Sequence, residues 1–235
     1  PFTLRGYAFR RQLSEISGGL WIICDNTKPV DIATTWHNGT KVTKSVAPPL
    51  AYIIPPQWTE VIEVAKAHGL RCEPLAGPVT AEFESYRFTD VTFAKSPHEG
   101  RFPVTFKAQP ITEKRTYIAG SVVIPLNQPA AKVAVELFEP EAPDSLVGWG
   151  FFDTVFEQKE FAESYVLEKL AREMLAADPK LREEFETRVA KDKDFAGSPH
   201  DRLDFFYKRS PYYERWKDVY PVGRIIKPLS LPTQR

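Results

Sequence analysis

The spacing of hydrophobic positions changes along this chain, and each spacing predicts a different element. Residues 7–10 and 20–24 concentrate aromatic and β-branched side chains, among them Tyr7, Phe9, Trp21, Ile22 and Ile23, and read as strands, the second introduced by Gly18-Gly19. Residues 25–29 carry Asp25, Asn26 and Pro29 and read as a turn. The polar stretch that follows contains Asn38-Gly39, and the extended runs 31–36 and 41–46 on either side predict a hairpin, closed off by Pro48-Pro49.

The next segment is the clearest local unit. Ala51, Tyr52, Ile53 and Ile54 form a short apolar strand, Pro55-Pro56 interrupts it, and a helix is predicted over 57–68. In that helix Trp58, Val61, Ile62 and Ala65 share one face at a period of 3.6, and Gly69 stands where a left-handed cap belongs. A strand over 70–75 completes a strand-helix-strand unit, an arrangement that puts its two strands parallel in one sheet. Residues 79–90 alternate, with Phe83, Ser85, Arg87 and Thr89 in one phase and Glu82, Glu84, Tyr86 and Phe88 in the other. Strands over 102–108 and 120–124 follow, with a bend at Pro97-His98-Glu99-Gly100, and Pro129 introduces a short helix over 130–138.

After residue 138 the character changes. An acidic, proline-marked connector (139–144) leads into the apolar, glycine-punctuated run 146–152, and helical periods then dominate. A long helix is predicted over 154–176, with Phe156, Phe161, Tyr165, Leu167, Leu170, Met174 and Leu175 turned inward. Asp178-Pro179 is an N-cap followed by proline at the first helical position, and that second helix ends near Lys191. An aromatic segment around Pro211 and an extended tail with prolines at 221, 228 and 232 finish the chain. The expected class is α/β in the α+β sense: a β-rich part with the strand-helix-strand unit over 1–138, then a mainly helical part with an extended tail over 139–235. Two domains and one continuous core are both compatible with that division.

Composition narrows the classes of function. The 235 residues are 43% hydrophobic and 26% charged, enough to fill a core, and 31 basic residues balance 31 acidic ones, which argues against a nucleic-acid partner. The balance is uneven along the chain. Basic minus acidic residues give 15 − 12 = +3 over 1–138, 9 − 17 = −8 over 139–204 and 7 − 2 = +5 over 205–235. A basic tail packed across acidic helix faces accounts for this pattern, and so does a docking surface for a charged partner. No apolar run reaches the roughly 18 residues of a transmembrane helix. The start at Pro1, without an initiator methionine, reads as a processing or excision point. Cys24 and Cys72 are compatible with one disulfide or with two thiols.

No catalytic motif emerges. Three residues after His37, His68, His98 and His200 stand Thr40, Arg71, Arg101 and Leu203, so no histidine is followed by a carboxylate at the spacing that aims two ligands at one metal. Serine-hydrolase elbows, phosphate loops and dinucleotide fingerprints are missing as well. Glu139, Glu141, Asp144 and Asp153 flank Trp149-Gly150-Phe151-Phe152, a set that suits a sugar or peptide groove, although acids beside proline read as solvated and such aromatics as core. Arg209, Tyr212 and Tyr213 combine a guanidinium fork with phenols, as a carboxylate or glycan site does. They equally suit an internal contact in which Arg209 pairs with the acidic helices. Trp149, Arg209, Tyr212 and Tyr213 are thus the candidate binding residues.

The run from Trp149 through Phe152, with Phe156-Glu157-Gln158-Lys159-Glu160, Tyr165-Val166-Leu167-Glu168 and Ala171-Arg172-Glu173-Met174-Leu175, resembles the C-terminal portion of bacterial zinc carboxypeptidase-like proteins of the carboxypeptidase A type. Leu4-Arg5-Gly6-Tyr7 and residues 51–58 are similar to regions between that portion and the catalytic domain. The resemblance implies a parent that hydrolyses peptide bonds with zinc held by two histidines and a glutamate in an upstream domain, in the periplasm or outside the cell. None of those residues has a counterpart here, so it implies a non-catalytic accessory region with no cofactor of its own. The partner it implies is the upstream catalytic domain, and a peptide or glycan (peptidoglycan included) is the alternative ligand. An independent carboxylate-dependent hydrolase is the remaining class.

Overall fold

The structure is a computed structural model that describes residues 1–233. The chain divides into two compact units, Pro1–Ala47 and Pro48–Arg235.

In the first unit, β1 (Phe2–Leu13) and β2 (Leu20–Thr34) form an antiparallel ribbon. Both strands run well past the predicted ones. The turn expected at 25–29 is a bulge inside β2: Ala8 faces Asp25 while Tyr7 faces Pro29, and the Asp25 carboxylate accepts from the Thr27 amide at 3.1 Å to fold the extra residues outward. The hairpin expected around Asn38-Gly39 is absent. Residues 31–34 pair with β1 instead, with Leu4 opposite Ile32, and 35–49 form no strand. An existing edge lined with apolar partners outcompetes a polar stretch that has no face of its own to bury.

The second unit is built on an antiparallel sheet of six strands in the order β4-β7-β3-β8-β5-β6. These are β3 (Ala51–Ile54), β4 (Glu73–Pro74), β5 (Val79–Phe93), β6 (Val104–Tyr117), β7 (Val122–Pro125) and β8 (Gly223–Ile225). The strand-helix-strand unit exists, with α1 at Thr59–Ala67 and Gly69 at φ +73° just beyond it. Its strands β3 and β4 are parallel as expected, but β7 lies between them, antiparallel to both. The bend at 98–101 is a two-residue hairpin turn in which Glu99 and Gly100 both take positive φ and His98 and Arg101 exchange backbone hydrogen bonds.

Side-chain alternation divides the core. Tyr52, Ile54, Val122 and Ile124 point to the face covered by α1 and α2 (Ala131–Phe138) and share its cluster with Leu146, Phe152 and Phe156. Ala51, Ile53, Val123 and Ile225 point to the other face, where Leu229 and Leu231 of the tail pack over them. The core therefore continues across position 138. A third cluster joins α3 (Ser164–Ala177), α4 (Pro179–Lys191), α5 (Lys193–Gly197) and α6 (Pro199–Tyr207) around Ala171, Phe195, Phe205 and Phe206.

Two expectations for the C-terminal part need correction. The long helix over 154–176 begins only at Ser164, after a 3-10 turn at Asp153–Val155, and Phe161 and Tyr165, expected inside, are 75% and 74% exposed. Phe156 belongs to the sheet cluster and Ala171 to the helical one, so a single straight helix would have to serve two cores. The extended tail is also more than a tail: β8 sits in the middle of the sheet, between β3 and β5.

Candidate functional site

The deepest polar cluster lies beneath α2. Glu139, which follows the last residue of that helix, is 3% exposed, so this acid is buried where a solvated connector was expected. Its carboxylate accepts from Tyr52 Oη at 2.7 Å, Tyr86 Oη at 2.6 Å and Arg224 Nε at 3.0 Å. Arg224 reaches on to Glu84 at 2.6 Å, and Tyr220 donates to the Phe138 carbonyl at 3.1 Å. Burial, with the facing Glu139 carboxylate second, pushes both the Tyr52 and Tyr86 phenols well above their ordinary range. Both rings therefore stay protonated donors at neutral pH. The cluster is satisfied internally and ties β3, β5, β8 and α2 together, which is a structural cross-link.

The aromatic run after the connector builds a second feature. Phe152 is fully buried against Trp58, with ring centroids 4.7 Å apart, whereas Trp149 is 36% exposed and stacks beside His98 at 6.4 Å. Trp149, Asp144, His68, Glu136 and Leu137 line a cavity of about 590 Å³. Of the four acids weighed from the sequence, Asp144 lines this cavity and Glu139 faces the sheet core. Asp153 tucks under Gly150, whose φ of +73° and lack of a Cβ leave room for the carboxylate. Burial raises the Asp153 pKa, and the nearby Arg101 opposes that rise.

Arg209 binds Glu184 of α4 at 2.7 Å and lies 3.8 Å over the Phe205 ring, so a basic residue of the last third does pair with an acidic helix. Tyr213 packs edge-on against Tyr207 with centroids 5.5 Å apart, and Tyr212 is 70% exposed. Trp149 lies in different surroundings from these three residues. Both cysteines are free thiols, Cys24 exposed and Cys72 half-buried, with the Cys72 pKa raised by burial. Among the described residues no group of three histidine, cysteine, aspartate or glutamate side chains could hold a metal ion, and no helix is long and apolar enough to cross a membrane.

Sequence reasoning missed Glu139 as a hub, along with Tyr52, Tyr86 and Arg224. The one available signal was that Tyr52 interrupts an otherwise apolar strand with a hydroxyl, and a buried hydroxyl needs a partner.

No protein-family model and no solved structure matches the chain. It is similar to carboxypeptidase 2 of Trichophyton tonsurans, 31% identical over 122 residues that make up 52% of this chain and 22% of that protein. Carboxypeptidase 2 of Trichophyton rubrum is 30% identical over the same shares. The probable carboxypeptidase 2 of Arthroderma benhamiae is 30% identical over 118 residues, 50% of this chain and 22% of that protein. The chain thus matches about a fifth of the length of these relatives. They are fungal, whereas the strings quoted above resemble bacterial proteins. About half of the chain is therefore a carboxypeptidase-related region.

Proposed function

We propose that this chain is a non-catalytic accessory region of a zinc carboxypeptidase-like metallopeptidase, placed C-terminal to the catalytic domain and covering it, bracing it or restricting access to it. The observation that carries the reading is the state of Glu139. The acid most deeply buried in the fold spends its carboxylate on Tyr52, Tyr86 and Arg224, where a general base needs a face open to substrate and water. Similarity to carboxypeptidase 2 proteins over about half of the chain supports the parent class. Zinc in this reading belongs to the parent's upstream domain.

The test is to purify the 235-residue chain, incubate it with zinc, remove the excess, and measure bound metal and release of C-terminal residues from a peptide panel. Substoichiometric zinc and no release are expected. Stoichiometric zinc with turnover that a chelator abolishes would overturn the reading.

A second reading, a glycan-binding module, draws support from the half-exposed Trp149 and Asp144 lining one cavity. Under it, Trp149→Ala abolishes retention on insoluble peptidoglycan while leaving the fold intact. Equal recovery of both proteins in the unbound fraction sinks it.

A further inference from the structure

A two-stranded ribbon has two faces and no core between them, so its side chains are buried only where something else covers them, and alone in water it is at best marginally stable. The ribbon of β1 and β2 nevertheless carries a dense apolar load. Ten large apolar side chains of the two strands are exposed, and so is Trp36 just beyond them. At roughly 100 Å² for each half-exposed ring or branched chain, they present on the order of 1,000 Å², as much as the roughly 800 Å² that one partner contributes to a stable interface.

The register sorts this load into two patches, because directly opposed residues point to the same side of a ribbon. On one face, at the open end, Leu4 stands opposite Ile32 and Gly6 opposite Val30, and Phe2 packs edge-on against Trp36 with ring centroids 4.9 Å apart. That patch contains no charged residue. On the other face, toward the turn, Phe9 stands opposite Cys24, Arg11 opposite Ile22 and Leu13 opposite Leu20. Arg5 has Asp31 in register, whereas Arg10 and Arg11 stand opposite Ile23 and Ile22. Residues 1–47 carry six basic and three acidic side chains, 6 − 3 = +3.

The placement of the patches and their charge select the occupant. A second copy paired about a two-fold axis covers one face and leaves the other in water, and on the face near the turn it brings Arg11 to Arg11. A partner that bears acids and reaches both faces meets both demands. In the accessory-region reading, on which this inference rests, such a partner is tethered to the ribbon. The matched region is 22% of the Trichophyton tonsurans protein, so most of that polypeptide lies outside it. A short tether supplies an effective concentration of about millimolar. We infer that the ribbon inserts into the upstream domain of the same polypeptide and is buried on both faces, against an apolar surface whose carboxylates meet Arg10 and Arg11.

Cys24, an exposed thiol in the patch near the turn, reports on the docking. The 235-residue chain and the complete encoded polypeptide are treated with a small thiol reagent, and modification of Cys24 is followed by mass spectrometry. It should be at least roughly tenfold slower in the complete polypeptide, with the β1 and β2 amides protected alongside. In that protein Arg10→Glu combined with Arg11→Glu should return Cys24 to most of its free rate, the two lysine replacements should keep it protected, and high salt should loosen the native protein. Leu4→Asp, on the opposite face from Cys24, should release it as well, because one insertion covers both faces. Equal rates in the two proteins, slow modification already in the 235-residue chain (rising with concentration for a second copy), or protection indifferent to all of these substitutions would each overturn the insertion. Zinc-dependent release of C-terminal residues from peptides, scored in the same samples, separates this inference from the reading it rests on. Turnover with an unprotected Cys24 refutes the insertion alone, and protection without turnover refutes the parent class while the insertion stands.

Discussion

Glu139 is the side chain whose removal should cost this fold most per atom deleted. Its carboxylate satisfies two buried phenols and one buried guanidinium. In Glu139→Ala, Arg224 keeps its 2.6 Å contact with Glu84, so the loss falls short of a stranded cation. Tyr52, wholly buried, and Tyr86, 7% exposed, are left without their acceptor, at about 1 to 3 kcal/mol each. Adding about 1 kcal/mol for the broken half of the Arg224 pair gives a loss of about 3 to 7 kcal/mol, a large share of the stability of an ordinary domain. Glu139→Gln keeps the shape and one acceptor oxygen, and its amide can donate to a phenol oxygen, so about 1.5 to 3 kcal/mol is expected. Urea melts at neutral pH, followed by tryptophan fluorescence and far-UV circular dichroism, measure both values. Hydrogen exchange should show the β8 amides opening first in the alanine variant, because Arg224 is the side chain that anchors that strand. A loss below about 1 kcal/mol for Glu139→Ala would refute the cross-link.

Three further outcomes follow from the same structure. Gly223→Ala would place a Cβ 2.5 Å from Tyr117 Oη and 3.0 Å from Ile53 Cγ2 inside the sheet, so a loss of about 3 kcal/mol and a lower melting temperature are expected; an unchanged melting temperature would contradict that packing. Burial raises the Tyr117 phenol to about 12 from 10.0, and Tyr52, Tyr86 and Tyr220 are raised in the same sense. Because the folded pKa lies above the unfolded one, the native state holds the protons more tightly, so stability is full below pH 10 and falls as pH rises from 10 towards 12. Urea midpoints across that range check it. Asp178→Ala removes the cap that accepts from Lys180 N at 2.9 Å and Leu181 N at 3.2 Å, and should cost about 1 kcal/mol of local stability, read as faster amide exchange in the first turn of α4.

What the sequence disclosed was what local chemistry decides. The 3.6 period around Val61 and Ile62, the Asp178-Pro179 start, Gly69 and the Glu99-Gly100 turn each depend on neighbours within a few residues, and each stands where the pattern put it. What it concealed was decided by residues far apart. The string Gly223-Arg224-Ile225 shows neither alternation nor length enough for a strand, and only β3 and β5, more than 130 positions earlier, make it one. Glu139 looked solvated because it stands beside Pro140 in an acidic string, and its partners Tyr52, Tyr86 and Arg224 lie 87, 53 and 85 positions away. The candidate residues were similarly mixed: Arg209 met an acidic helix, while Trp149 joined a cavity with His68 and Asp144 that no spacing rule would have assembled.

Several buried polar residues of the second unit share one target. Ser85 Oγ donates to the carbonyls of Tyr220 and Val222, Arg115 to those of Tyr220 and Pro221, Tyr117 to that of Pro221, and Glu139 holds Arg224. All of them grip residues 220–224, the segment that enters the middle of the sheet as β8. A three-residue strand with glycine first and arginine second has little hydrophobic pattern to fix its register, and a slip of one residue would turn Arg224 to the opposite face. Polar contacts with defined geometry supply what that pattern lacks, because each is satisfied in one register and left unsatisfied in the next. The pairings of β8 with β3 and β5 span the longest separations in the unit, so loop-closure entropy opposes them most and the polar contacts offset part of that cost. The carbonyls that receive Arg115 belong to that same segment, so docking of β8 is what fixes its guanidinium.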